Sequence, residues 1–289
     1  MKKILAAALL SLLLPFTAQA SVLPQDYGPN QGGMVQWESD LYFFRLDQPV
    51  WEDLLTKNRS YWETNERDLE QAVRDLDQSL ASAAAEAKGQ LEAEKAEKQS
   101  ELRRAREAVL LYLSEEAKTK NDLVLLTERP DKNFLDPLIF PAGEYQTEAQ
   151  KLLEETYSLP CAGKETSPFG WRIHPVTGIR TLHEGIDLAN GEGTPIHATK
   201  SGIVTFAGFN EISGNNVLIR HYDGQQTSYY HMWKLKVKRG QYVHQGDVIG
   251  LMGTTGRSTG NHLHFEIRIN GAKVDPAPYI YQGTRWEWR

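Results

Sequence analysis

Residues 262–269 alternate strictly. Leu263, Phe265, Ile267 and Ile269 fall on one face of an extended chain, and His262, His264, Glu266 and Arg268 fall on the other. The pattern predicts a strand with one face on a core and the other lining something polar. Asn270-Gly271 follows at once, a dipeptide suited to a two-residue hairpin turn. Val217–Tyr222 and Gln226–Met232, joined through Asp223-Gly224, read as a second hairpin. From Glu165 onward glycine and proline are frequent and β-branched residues alternate between closely spaced turns. This stretch reads as an all-β domain of about 125 residues, enough to bury its own core.

The N-terminal half has another period. Leu69, Val73, Leu76, Leu80, Ala84, Ala87 and Leu91 recur at steps of three and four, and Leu102, Ala105, Val109 and Tyr112 resume the seam. No proline lies between Val50 and Arg129, and Ala, Glu, Lys, Gln and Arg dominate. Long helices with a narrow, coiled-coil-like seam are expected, as one rod or as an antiparallel hairpin turning near Gly89 to Ser100. The seam needs a cover: its other arm, a second copy, or another protein. Before it, residues 22–52 hold Trp37, Tyr42, Phe43, Phe44 and Trp51 without a clear period, and should pack on another part of the protein. Between the halves, Pro130, Pro137, Pro141 and Pro160 punctuate a connector. Inside it, Thr147-Glu148-Ala149-Gln150 has the form of a capping box opening a short helix from Ala149 to Tyr157.

The first twenty residues read as an export signal: Lys2 and Lys3, an apolar run from Ile4 to Leu14, and the small-x-small site Ala18-Gln19-Ala20. That run is too short to span a bilayer, and no cysteine follows it for lipidation. The expected organisation is a signal peptide at 1–20, a helical coiled-coil region at 21–128, a linker with a short helix at 129–165, an all-β domain at 166–280 and a tail at 281–289. The fold class is multi-domain, all-α followed by all-β with an antiparallel sheet. A net charge of −6, with no basic stripe interleaved with aromatics, argues against nucleic acid as a partner. Cys161 is the only cysteine, so no intrachain disulfide forms; it reads as an incidental thiol in the linker.

The polar face of residues 262–269 suggests metal chemistry. Alternate residues of a strand lie roughly 7 Å apart, so His262 and His264 can address one small volume. A second cluster is His183-Glu184-Gly185-Ile186-Asp187. A straight strand would put His183 and Asp187 roughly 13 Å apart, at the limit of reach for one ion, and Gly185 can supply the bend that closes the gap. Tyr230-His231 ends the second hairpin, with His231 on the face of Tyr229 and Thr227.

These pieces occur in a recognisable order. Ser167-Pro168-Phe169-Gly170-Trp171-Arg172-Ile173-His174-Pro175 precedes His183-x-x-x-Asp187, then Gly193-Thr194-Pro195-Ile196, Tyr230-His231, His262-x-His264 and finally Val274-Asp275-Pro276. The stretch from Ser167 to Tyr279 resembles the lysostaphin-type (LytM-type) zinc metalloendopeptidases. The resemblance implies zinc ligands at His183, Asp187 and His264, and unligated catalytic histidines at His231 and His262. Three protein ligands would leave the fourth tetrahedral position open, as in catalytic rather than structural zinc sites. It implies an exported enzyme, periplasmic or extracellular, that cuts peptide cross-links or stems of peptidoglycan. The Lys-Lys signal and the helical arm lean toward a periplasm and D-Ala–diaminopimelate cross-links. The alternative is a coiled-coil regulator that activates cell-wall amidases rather than cleaving, since some members with helical arms have lost zinc ligands. Arg172 and His174 match a motif flanking the family's groove, which implies them as candidate substrate contacts. Asn261 and Glu266 are candidates to orient the ligands, with ordinary surface roles the favoured reading; Glu184 is given no catalytic role, and His197, His221 and His244 match no ligand position.

Overall fold

The computed structural model describes residues 32–128, 146–173 and 178–281. The expected signal peptide, His174 and nearly all of the C-terminal tail lie outside these, as do the side chains of Trp37, Tyr42, Phe43 and Phe44. Two compact units make up the chain, Met1–Pro49 and Val50–Arg289. The described part of the first is helical backbone from Gly32.

The helical region is a pair of helices, α1 (Gly32–Ser82) and α2 (Ala85–Glu128). They run antiparallel: Arg59 reaches Glu116, Arg106 reaches Glu66 and Glu70, and Lys95 pairs with Asp77. The seam is therefore covered by its own other arm, with Leu69, Ala105 and Val109 buried. The turn falls at Ala83–Ala84, earlier than Gly89 to Ser100. Alanine is a strong helix former, so nothing local marks this break, and tertiary packing sets it. The short helix α3 spans Gln146–Glu154, so Thr147 lies inside it and not at its N-cap.

The C-terminal domain is antiparallel throughout. Its strands are β1 (Lys164–Ser167), β2 (Gly170–Ile173), β3 (Arg180–His183), β4 (Ile186–Ala189), β5 (Pro195–His197), β6 (Gly202–Asn210), β7 (Gly214–His221), β8 (Gln226–Leu235), β9 (Tyr242–Val243), β10 (Val248–Met252), β11 (His262–Ile269) and β12 (Ala272–Val274). The main sheet runs β1-β4-β11-β8-β7-β6-β9, with β10 on β5 and β8 and β12 on β11; β2 and β3 form a separate two-stranded sheet. Asn270 and Gly271, at φ 50° and 77°, close the β11–β12 hairpin as its dipeptide predicts. Leu263, Phe265 and Ile267 of β11 are fully buried with Ile186, Ile219 and Tyr229. Burying a side chain such as Phe265 contributes about 2–3 kcal/mol. Cys161 is not an incidental linker thiol. It sits in this core beside Ile196, and burial pushes its thiol up to about 12, so it is held unreactive.

The arm docks on the β6–β9 end of the sheet. Trp51, Leu55, Leu110 and Tyr112 pack with Ile203, Tyr222 and Tyr242. The Tyr112 hydroxyl donates to Gly240 O and accepts from Tyr242 N, and Lys118 donates to His221 O and Tyr222 O. Arg239 lies over the Trp51 ring.

His221 is buried, its Nδ1 on Ser201 O and Nε2 on Thr227 Oγ1, and burial lowers it from 6.5 to about 4. Its contribution to stability is therefore complete above pH 6.5. As pH falls from 6.5 toward 4, the unfolded chain gains a proton that the folded chain excludes, and stability drops by on the order of 3 kcal/mol. Denaturant titrations at pH 7 and pH 4 should show this loss shrinking in a His221→Gln variant.

Candidate metal centre

Three strands bring three ligand atoms together. β3 ends on His183, and after Glu184-Gly185 the chain re-enters the main sheet with Asp187 on β4. β11 pairs with β4 so that His264 lies opposite Asp187. His183 Nε2, Asp187 Oδ1 and His264 Nδ1 stand 3.1, 3.0 and 2.8 Å apart pairwise. All three residues are largely buried.

The second nitrogen of each histidine decides what the first can do. His183 Nδ1 lies 2.8 Å from Pro168 O, which can only accept, so Nδ1 carries the proton and Nε2 is a bare lone pair. His264 Nε2 lies 3.3 Å from the Glu266 carboxylate, which places the proton there and bares Nδ1. With both histidines in these neutral tautomers, three acceptors converge on one point. Such an arrangement is repulsive unless a cation sits within it, and zinc, with bonds to N and O near 2.0–2.2 Å, fits a triangle of this size after slight expansion. Burial alone would push Asp187 up, but the bonds to His183 and His264 hold its carboxyl far below the usual range. Burial would lower His264, yet Asp187 and Glu266 push it up to about 9, so a proton on Nδ1 takes the cation's place near neutral pH until a metal ion displaces it. The pocket therefore favours positive charge at its centre.

His231 and His262 flank this triangle without joining it. Their rings are 4.8 Å apart, and His262 Nε2 is 3.8 Å from Asp187 Oδ1. His231 Nδ1 donates to Thr255 O and His262 Nδ1 to Gly260 O, so in the neutral form both Nε2 atoms are free to accept a proton. Burial lowers His231 to about 4, which keeps it neutral at pH 7. Regular alternation would have put His231 on the face of Tyr229, which is in the core. Instead β8 carries an extra residue between Tyr229 and Met232, and His231 takes φ 62°, a left-handed conformation. The bulge turns its ring out of the core face toward His262, at a strain of about 1–2 kcal/mol.

Residues 181–276 match the sequence model of Peptidase family M23. The chain carries a domain of peptidase family M23. It is 49% identical over 111 residues to the DD-carboxypeptidase/endopeptidase Mpg of Neisseria meningitidis serogroup B, covering 38% of this chain and 26% of that protein. Its identity to the peptidoglycan DD-endopeptidase ShyC of Vibrio cholerae is 45% over 105 residues, or 36% and 24% of the two. The chain thus spans about a quarter of the length of these curated relatives. The catalytic domain of lysostaphin from Staphylococcus simulans is 33% identical, covering 45% of this chain and 96% of that one, with a TM-score of 0.38.

Within the M23 domain, two features lie beyond the reach of sequence pattern. Glu266 is buried, not at the surface: it takes Tyr230 OH at 3.2 Å and Lys273 Nζ at 2.9 Å as well as His264. Lys273, from β12, also binds the otherwise exposed Glu184. Gly185 does more than bend the chain. A Cβ there would lie 2.4 Å from Phe265 O, 2.9 Å from His264 Nε2 and 3.0 Å from Glu266 Cγ. Gly185→Ala is expected to cost about 1–3 kcal/mol through overpacking and to displace His264, lowering metal content together with the melting temperature. Thermal melts and elemental analysis of the variant check both. Asn261 is exposed, and His197 and His244 hydrogen-bond backbone carbonyls away from the cluster.

Proposed function

We propose that this protein is an exported, zinc-dependent endopeptidase that hydrolyses peptide bonds of peptidoglycan. The observation that carries the reading is the meeting of three ligand atoms, each able to turn a lone pair to one point, beside two histidines whose Nδ1 atoms are engaged by backbone carbonyls. His183, Asp187 and His264 would hold the ion. When bound, zinc supplies Lewis acidity that polarises a carbonyl and makes a nearby water acidic enough to attack near neutral pH. One of His231 and His262 would take that water's proton on its bare Nε2, and the other would donate to the developing oxyanion in its doubly protonated form. Burial around the pair strengthens both roles by excluding bulk water.

The binding-only alternative requires a broken constellation, and here all five side chains are in place. The described arm also lies on the β6–β9 end of the sheet, whereas the ligands stand on β3, β4 and β11. No described helix is long and apolar enough to cross a membrane. The test is digestion of purified sacculi of several cross-link chemistries by the mature chain, with fragments identified by mass spectrometry. Release of cross-linked peptides that stops on chelation and returns with zinc supports the reading. Intact sacculi of every chemistry at full zinc occupancy would refute it.

A further inference from the structure

The β2–β3 hairpin has an apolar face that the metal centre does not use. It is a two-stranded sheet of its own, four residues to a strand, separate from the main sheet. Its inner face carries His183, and Arg172, whose Nη2 lies 3.5 Å from Asp187 Oδ2. The outer face carries Trp171, Ile173 and Leu182, with Trp171 directly opposite Leu182. These three residues are 62%, 65% and 40% exposed. Arg180, on the same face, lies 5.1 Å from the Trp171 ring centroid and shields it only in part. A two-stranded hairpin is marginally stable in water unless its apolar face packs on something else. Three large apolar side chains on so small a sheet therefore call for a cover.

We propose that the C-terminal segment 282–289 lies along the outer face of the hairpin, with Trp286 and Trp288 packed on Trp171, Ile173 and Leu182. The segment follows Tyr281, the last described residue, and reads Gln-Gly-Thr-Arg-Trp-Glu-Trp-Arg. In an extended chain its two indoles share one face, and Arg285, Glu287 and Arg289 share the other. The indoles then stand roughly 7 Å apart, the spacing of Trp171 and Ile173 along β2. The anchor of the segment is close to the hairpin. Tyr281 packs against the core of the β domain, and its hydroxyl donates to Glu165 Oε2, on β1, at 3.2 Å. β1 runs into β2 through Pro168 and Phe169, so Trp171 lies at most roughly 20 Å from Glu165 even along a fully extended chain. Trp288 has a comparable reach, roughly 23 Å from Tyr281. Seated there, the tail braces from behind the strand that ends on His183.

The test is hydrogen exchange, read by mass spectrometry, on the full chain and on a Trp286→Ser/Trp288→Ser double variant. The backbone amides of β2 and β3 are expected to exchange about tenfold or more faster in the double variant, with those of β6 to β9 unchanged. An Arg285→Ser/Arg289→Ser variant, altered on the other face of the tail, should keep the wild-type rates. Equal hairpin rates in the wild type and the tryptophan variant overturn the proposal. So does equal loss of protection in the arginine variant, which would take the contact away from the indoles. Protection that ignores the tail but grows with protein concentration assigns the face to a second copy and overturns it as well. Should the hairpin amides exchange too fast to time, thiol labelling decides. Cys161 is buried and held unreactive, so a Leu182→Cys thiol can be followed alone. It should label about tenfold more slowly beside the native tail than beside the W286S/W288S tail, and equal labelling rejects the tail as the cover. Neither readout requires zinc or turnover, so a failure here leaves the peptidase reading untouched.

Discussion

Replacing His264 with alanine is expected to abolish zinc binding and hydrolysis together. Two ligands would remain, too few for a stable zinc site. The loss extends beyond one bond. Glu266 is buried and held below the usual carboxylate range by His264 and Lys273 against burial, and Asp187 is likewise buried, so the variant leaves two carboxylates short of a partner. Zinc content should fall below about one-tenth of wild type, with no measurable turnover. His183→Ala and Asp187→Ala should behave alike. His197→Ala, whose imidazole bonds Gly246 O away from the cluster, should keep both properties. Full zinc occupancy in His264→Ala by elemental analysis would show the ligand assignment to be wrong.

His231→Ala and His262→Ala should separate the metal from the chemistry. Neither side chain belongs to the His183–Asp187–His264 cluster, so zinc content should stay at the wild-type level. Turnover should fall roughly 100- to 10,000-fold, the usual contribution of a group moving a proton in the transition state. His231 offers a sharper contrast, because its left-handed backbone is strained. A His231→Gly variant should be inactive yet at least as stable as the parent, since glycine adopts φ 62° without penalty. Near-normal turnover in both alanine variants at equal zinc would remove the histidines from the mechanism. A His231→Gly protein that melts well below the parent would show that the ring's contacts, not the backbone, dominate there.

What could be read from sequence was what depends on local period and turn chemistry. The faces of β11, its hairpin at Asn270-Gly271 and the bend at Gly185 all follow from neighbours along the chain. The features missed depend on what arrives from elsewhere. Glu266 sits on the polar face of its strand, and only Lys273 from β12 and Tyr230 from β8 make a buried carboxylate tolerable there. Cys161 looks like linker until Ile196 is paired beside it. The break at Ala83–Ala84 carries no breaker residue, so the long helical reading could offer a hairpin but not its position. His231 was identified through resemblance, while alternation alone would have buried it beside Tyr229.

The Tyr112 hydroxyl has a consequence for how the chain can be cut. β9 is the last strand on its side of the sheet, and an uncovered terminal strand is a template for a neighbouring chain. Here Tyr112 occupies the Tyr242 amide and the Gly240 carbonyl, and Asn58 donates to that same carbonyl. At the opposite border, β1 is only four residues long and carries Lys164 and Glu165, a border blunted by length and charge. A truncation beginning near Glu165 would keep every proposed ligand and lose the cover on β9, Ile203 and Tyr242. Such a fragment should form concentration-dependent aggregates on sedimentation, where the full chain stays dispersed. The helical arm is thus a guard for the sheet's margin, and activity measured on the bare domain would report on a protein prone to self-association.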